Sequence, residues 1–441
     1  MIKGFYFLFL VISVSAHAQK LMSVDEAIEL ALKNNYDIQL VKNTSESYAI
    51  DADYVNAAFL PTVNGTASKV WNKNAQQQNF TDGRKRKASV VSQNLNAAVN
   101  LNWTLFDGLK MFATKERIEQ LKEYGELATR TQVVNSIAAV ITNYYNIVSE
   151  KQLMRAIDTL MVISEKRVTL ADKKFSVGLG SKPELLQAKV DLNAQKAAKL
   201  VQETLIVQLT EQLNQLTGVP INSNYEVTDS IPINVGLNYG ALSTGIEKTN
   251  PGLLAFNKSI DVAALELKER KAERWPVVKF ASAYDFSKLN NGSVVNPEFQ
   301  PLYSLNKGFN YGFSAVMPIL NGFNTRRLIR QASLSIDYFK INYAAERSKV
   351  ELGLSNSFKD YQHQIKALQL EEENITLAKE NVFIALERFR KGASTYIELR
   401  NAQISLQDAY NRLITARYNT KVAETELLRL RGNISSSAPL P

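Results

Sequence analysis

Asn94-Leu95-Asn96-Ala97-Ala98-Val99-Asn100-Leu101-Asn102-Trp103-Thr104-Leu105-Phe106 is the stretch that decides the fold of this chain. Leu95, Ala97, Val99, Leu101, Trp103 and Leu105 fall on one side of an extended backbone, and Asn94, Asn96, Asn100, Asn102 and Thr104 on the other. A run of that length, apolar on one face with an aromatic near its end, has the pattern of a strand that crosses a membrane in a β-barrel. A half-buried sheet of a soluble domain shares the period, but rarely sets so many Asn side chains in register opposite one apolar face.

Three further strand signals surround it. Phe309, Tyr311, Phe313, Ala315, Met317 and Ile319 alternate with Asn310, Gly312 and Ser314. Val63, Ala67 and Trp71, and then Val278, Phe280, Tyr284 and Phe286, mark less regular partners. Strands are therefore expected at 62–72, 93–106, 277–288 and 309–320. Four strands cannot close a barrel, since about eight is the smallest number that does. An open edge in a bilayer leaves backbone groups without partners, so several chains must share one barrel. Two chains would give a filled interior and three a lumen, and the residues alone leave both open. The connections from Asn72 to Ser92 and from Lys288 to Gly308 are expected to be exposed loops, with Arg84-Lys85-Arg86-Lys87 a solvated tip.

The chain is also a tandem repeat. Shifted by about 214 residues, its landmarks coincide. Leu105-Phe106-Asp107-Gly108 meets Ile319-Leu320-Asn321-Gly322, Lys174-Phe175 and Gly178 meet Arg388-Phe389 and Gly392, and Leu216-Thr217-Gly218 meets Leu430-Arg431-Gly432. The units are 19–218 and 246–432, joined by a linker at 219–245 and followed by a flexible tail at 433–441.

Each unit opens with a helix, begun in the first copy by the N-cap-like Ser23-Val24-Asp25-Glu26. After the strand pair comes a very long helical pattern, at 110–176 and 325–391. Val133, Ile137, Val140, Tyr144 and Ile147 step by four and three, as do Val350, Leu354, Phe358, Tyr361, Ile365 and Leu368, which is coiled-coil spacing. A helix over 110–176 would be roughly 100 Å long, more than a compact globular domain needs. Glycine turns at Gly178 and Gly180, and at Gly392, lead to return helices at 183–216 and 396–430. Those reach only part-way back, so the opening helix of each unit is expected to stack end to end with the return helix.

Composition narrows the function classes. Residues 1–18 read as a secretory signal peptide: Lys3, an apolar run from Phe5 to Val14, and Ala16-His17-Ala18 as the cleavage site. The chain has no cysteine, which excludes disulfides, thiolate metal sites, cysteine nucleophiles and acylation at an N-terminal cysteine. His363 is the one histidine beyond the signal, in a polar helical setting, so no enzyme, metal site or cofactor is expected. The 52 Lys and Arg against 43 Asp and Glu are spread in mixed sign along the helices, and no nucleic-acid partner is expected. A periplasmic coiled-coil scaffold without transport activity is the competing class, and it explains the helices but neither the strands nor the signal peptide.

The order of these elements resembles the TolC outer-membrane efflux family. So do Leu60-Pro61-Thr62-Val63 before the first strand of a pair, Phe106-Asp107-Gly108 after the second, and Lys174-Phe175-Ser176-Val177-Gly178 followed by Pro183-Glu184-Leu185-Leu186. The resemblance implies an α+β membrane protein of two tandem repeats, with a long-helix coiled-coil α-barrel and a transmembrane β-barrel shared between three protomers. It implies a homotrimer in the outer membrane of a Gram-negative bacterium, in contact with outer-membrane lipid and spanning into the periplasm. The implied function is the exit duct of a tripartite efflux or type I secretion system. A membrane-fusion adaptor and an inner-membrane pump of RND or ABC type would be its partners. By position, Phe175, Val177, Gly178, Leu179, Phe389, Gly392 and Ser394 would face the adaptor. Glu184, Glu398 and Asn401 would line the entrance. Asn401 replaces a second acidic residue, and Ser394 an arginine that tethers the closed tip in some members, so closure is expected to be held differently. A ring of Glu398 carboxylates would favour cations. The same residue is equally well placed as a surface carboxylate at a helix N-terminus.

Overall fold

The computed structural model describes residues 21–296 and 298–434. The expected signal peptide and all of the tail beyond residue 434 lie outside the described residues. In chain order these residues form β1 (Leu21–Met22), α1 (Val24–Asn34), α2 (Tyr36–Tyr54), β2 (Thr62–Asn79), β3 (Lys85–Phe106), α3 (Lys110–Ser176), α4 (Lys182–Thr217) and β4 (Glu226–Val227). There follow α5 (Tyr239–Ser243), α6 (Ile246–Thr249), α7 (Pro251–Ala272), β5 (Val277–Asn291), β6 (Tyr303–Val316), α8 (Asn324–Arg390) and α9 (Tyr396–Arg431). The repeat is metrically close: α3 and α8 have 67 residues each, α4 and α9 36 each. Among the described residues no helix is long and apolar enough to cross a membrane.

The residues divide into two units. One comprises Thr44–Glu126 and Ala255–Ala345 and holds the large sheet, antiparallel throughout in the order β2-β3-β5-β6. Its outer strands, β2 and β6, each pair on one side only. Where β3 runs into α3, Gly108 has φ +74, and a Cβ there would lie 2.4 Å from the Ala272 carbonyl oxygen. Glycine is the residue that permits this crossing. Lys110–Glu273 at 3.1 Å and Arg117–Glu269 at 2.8 Å then tie α3 to the end of α7.

The strands differ from the expected bounds in a way that physics explains. β2 continues to Asn79 and β3 starts at Lys85, with unbroken pairing from Thr62↔Asn102 to Asn79↔Lys85. Most of the expected loop from Asn72 to Ser92 is thus a hairpin, and of the basic run only Arg84 lies in the turn. A hairpin standing in water is polar on both faces, so hydrophobic alternation vanishes while the hydrogen-bond ladder persists. β6 is Tyr303–Val316 rather than 309–320. Pro318, which has no N–H to donate, stands just beyond its end.

The other unit comprises the chain up to Asn43, Leu127–Leu254 and the chain from Glu346 onward. Ile137, Val140, Tyr144 and Ile147 of α3 are buried against Ala27, Ile28 and Ala31 of α1 and Leu209 and Leu213 of α4. Leu354 and Tyr361 of α8 pack with Leu427 and Leu430 of α9. Opening and return helices meet through one joint used twice. Asn35 donates its side-chain amide to the Leu216 carbonyl (2.8 Å) and accepts from the Ile38 N–H (3.1 Å). Asn250 does the same with Leu430 (2.7 Å) and Leu253 (2.9 Å). Each is a buried polar side chain with both ends satisfied.

The return helices end there in left-handed glycines, Gly218 (φ +66) and Gly432 (φ +76). A Cβ on either would come within 2.6 Å of a carbonyl oxygen, that of Asn34 or Thr249. Gly432→Ala therefore meets left-handed strain of about 1–2 kcal/mol and a backbone clash besides. Gly178→Ala meets the strain alone, since nothing lies within 4 Å of that position. Thermal unfolding of the two variants is expected to show the larger loss for Gly432→Ala.

Candidate channel entrance

The two helix–helix turns are built alike. At the end of α3, the N–H groups of Leu179 and Gly180 both donate to the Lys174 carbonyl (2.8 and 2.9 Å), with Gly178 at φ +77. At the end of α8, Ala393 N–H donates to the Arg388 carbonyl (2.9 Å), with Gly392 at φ +76. Glycine supplies the left-handed residue that lets the last carbonyls of a helix find donors. Each following helix is capped by a hydroxyl: Ser181 accepts from Glu184 N–H (3.4 Å) and Thr395 from Glu398 N–H (3.3 Å). Glu184 and Glu398 thus both stand in the first turn of a helix, where a negative charge is favoured.

The structure brings some of the sequence-derived residues together and separates others. Phe175, Val177 and Leu179 protrude from the first turn, Leu179 being 82% exposed. Phe389, its counterpart to Phe175, is instead 3% exposed, packed among Ala385, Tyr396 and Leu399. Lys174 explains the asymmetry: its ammonium lies 3.8 Å above the Phe389 ring and donates to the Phe389 carbonyl at 3.0 Å. Glu398 is paired with Arg388 at 2.8 Å, and Arg388 also donates to the Ala393 carbonyl at 3.2 Å. Both partners of that pair are about half exposed, so it contributes at most about 1 kcal/mol. Asn401 is exposed. The Ser394 hydroxyl donates to the adjacent Thr395 carbonyl (3.4 Å), within its own turn.

A stronger tie lies further into the helices, at residues the sequence reading did not single out. Arg167 of α3, 2% exposed, donates to Asp191 of α4 (2.7 Å) and to the Gln403 side chain of α9 (2.6 Å). Asp191 also accepts from Arg400 (3.0 Å), the Tyr396 hydroxyl (3.1 Å) and Gln187 (2.8 Å). The Arg167 guanidinium lies 5.1 Å from the Tyr396 ring centre. Burial pushes the Asp191 carboxyl up, but hydrogen bonds from Gln187 and Arg400 and the charge of Arg167 outweigh it and hold the group below its ordinary value. Burial raises the Tyr396 hydroxyl to about 12, so it stays a donor at every physiological pH. One carboxylate thereby cross-links three helices. A signal was present in the sequence, for Leu160, Ser164, Arg167 and Ala171 step by four, three and four along one buried stripe.

The large sheet is sided in the same consistent way. Asn94, Asn96, Asn100 and Asn102 share one face with Asp285 and Asn310, which are hydrogen-bonded at 2.7 Å, while Asn96 accepts from Ser287 at 2.8 Å. The opposite face carries Leu95, Val99, Tyr284, Phe309 and Phe313. Among the described residues no His, Asp and Glu cluster is arranged to hold a metal ion. The large sheet thus has one polar and one apolar face, and a hydroxyl caps the helix that follows each helix–helix turn.

Known proteins share this construction. The family model described as outer membrane efflux protein matches residues 27–219 and 245–433. The outer membrane protein TolC of Escherichia coli is 20% identical over 367 residues, covering 81% of this chain and 73% of its own length. The probable efflux pump outer membrane protein TtgC of Pseudomonas putida is 19% identical over 435 residues, covering 93% and 83%. Among solved structures, the Campylobacter jejuni CmeC outer membrane channel superposes with a TM-score of 0.78 at 17% identity, over 94% of this chain and 87% of that one.

Proposed function

The chain belongs to the outer membrane efflux protein family, and from that premise we propose that three copies of it close one barrel and lead cargo passively from the periplasm to the outside. The protein is an outer-membrane duct that reaches into the periplasm. One observation supports the shared barrel: the four-stranded sheet has two unpaired edges and one exposed apolar face. In a bilayer the apolar face is satisfied by lipid, but the edges are satisfied only by another sheet. Three sheets give twelve strands and a lumen that the Asn-bearing face would line with hydrogen-bonding groups.

In the helical unit, the exposed Phe175, Val177 and Leu179 of the first turn, with Gly178, offer an apolar tip to a periplasmic adaptor. Gly392 and Ser394 present the second turn, while Phe389 supports it from within. Such an adaptor would couple the duct to an inner-membrane pump, in line with the relative TtgC, a probable efflux pump outer membrane protein. Catalysis has no part in this reading, because a passive conduit draws its energy from the pump.

Glu398 sets the charge of the entrance together with Arg388. Neutralising it leaves the Arg388 cation without its carboxylate, so the entrance becomes less favourable to cations. In planar bilayers the parent protein is expected to give discrete conductance steps, and Glu398→Gln a lower cation-to-anion permeability ratio. A protein that adds no conductance would remove the duct reading. Unchanged selectivity would remove Glu398 alone from the entrance.

A further inference from the structure

Directly opposed residues of an antiparallel ladder point to the same side, so the registers sort every side chain of the large sheet. The side bearing Leu95, Val99, Tyr284 and Phe309 is the one that meets lipid in the reading above, on which this inference rests. Toward the β2–β3 turn that same side changes character within a few rungs. Lys307 opposes Phe286, which opposes Ala97. At the next level Lys69 opposes Leu95, Leu95 opposes Lys288, and Lys288 opposes Leu305. Lys73 opposes Val91 beyond that. All four lysines are exposed, and among the described residues no ion pair engages any of them. The one acidic residue in the four strands, Asp285, opposes Ala98 on the other side of the sheet.

Three of the four lysines are placed against rings. Lys69 lies 4.9 Å from the Trp71 ring centre, Lys288 5.7 Å from Tyr303 and Lys307 5.9 Å from Phe286. An aliphatic stem laid along an aromatic girdle, with its ammonium carried outward, is how lysine sits at a membrane–water boundary. From Ala97 to Val91 the chain advances about 20 Å along a strand that would be tilted in the bilayer. The four charges therefore occupy a band immediately beyond the apolar zone, at the end of the sheet away from the start of α3.

We infer that Lys69, Lys73, Lys288 and Lys307 form a belt that binds the phosphate groups of anionic lipid in the outer leaflet. The charge calls for an anion. The position, on the lipid side and continuous with apolar surface, calls for an anion that carries acyl chains. A soluble polyanion would meet the charges but could not cover the rings and valines beneath them. Lys85 and Lys87 lie on the same side farther out, opposite Asn79 and Gln77, and are no part of the belt.

Native mass spectrometry of the full chain, extracted in mild detergent and supplied with a bisphosphorylated diglucosamine lipid or its dephosphorylated form, tests this. The parent is expected to retain the phosphorylated lipid. The combined variant K69Q/K73Q/K288Q/K307Q is expected to retain it at least tenfold less, a drop in keeping with the loss of several near-surface cations. The matching Lys→Arg variant is expected to retain it as the parent does. Equal retention by parent and Gln variant would overturn the belt. So would equal retention of both lipid forms by the parent, a comparison that needs no variant to fold. The same spectra report the oligomer, so a parent found as a monomer counts against the shared barrel and not against the belt.

Discussion

Asp191→Ala is expected to be the most damaging single change in the helical unit, at about 3–5 kcal/mol. The substitution strands the Arg167 guanidinium, 2% exposed, without the carboxylate that compensates its charge. Arg400 and Tyr396 lose their acceptor in the same step. Arg167→Met is expected to cost less, because Asp191 keeps Arg400, Tyr396 and Gln187 and methionine fills the space with apolar atoms. Urea unfolding followed by helical circular dichroism would rank the two, and a smaller loss for Asp191→Ala than for Arg167→Met would contradict the assignment. The sign of the pH dependence follows from the lowered folded value of Asp191. Its contribution is fully present above the ordinary carboxylate range and is lost as pH falls through the lowered value. The parent and Asp191→Asn should therefore differ most near neutral pH and converge in strong acid.

The second large effect concerns the sheet, where neighbours in sequence face opposite media. Val99 opposes Gly65 and Tyr284 on the apolar side, while Asn100 opposes Asn64 and Ala283 on the polar side. Val99→Arg places a guanidinium among lipid tails, about 2–4 kcal/mol near the bilayer centre, whereas Asn100→Arg places the same group in water. The yield of folded protein in outer-membrane fractions should fall sharply for the first variant and little for the second. Equal yields would mean that the two sides of the sheet have been assigned wrongly.

What could be read in advance follows the range of the forces involved. The long helices announce themselves because Val133, Ile137, Val140, Tyr144 and Ile147 keep coiled-coil spacing and are all buried. The lower parts of the strands announce themselves because one side is apolar and the other is not. The upper β2–β3 hairpin does not, since Gln76, Gln77 and Gln78 give no alternation although their backbone is fully paired. The Asp191 cluster was legible only in part: the stripe of Leu160, Ser164, Arg167 and Ala171 turns Arg167 inward, but its partner Gln403 is 236 positions away and only the folded helices bring the two to 2.6 Å. Phe389 illustrates the limit of repeat symmetry. It matches Phe175 in position but is buried, because Lys174 lies over it, while Arg388, the repeat counterpart of Lys174, turns to Glu398 and the Ala393 carbonyl.

The shared barrel requires the free edge of β6 in one protomer to pair with the free edge of β2 in the next. The chain has no cysteine, so single cysteines placed along β2 and β6 would report that contact without background. Cross-linking the membrane-embedded protein across a scan of β2–β6 pairs should give covalent dimers and trimers at one antiparallel register, and nothing larger. Monomer alone at every register, or a ladder running beyond three chains, would contradict a barrel completed by three copies.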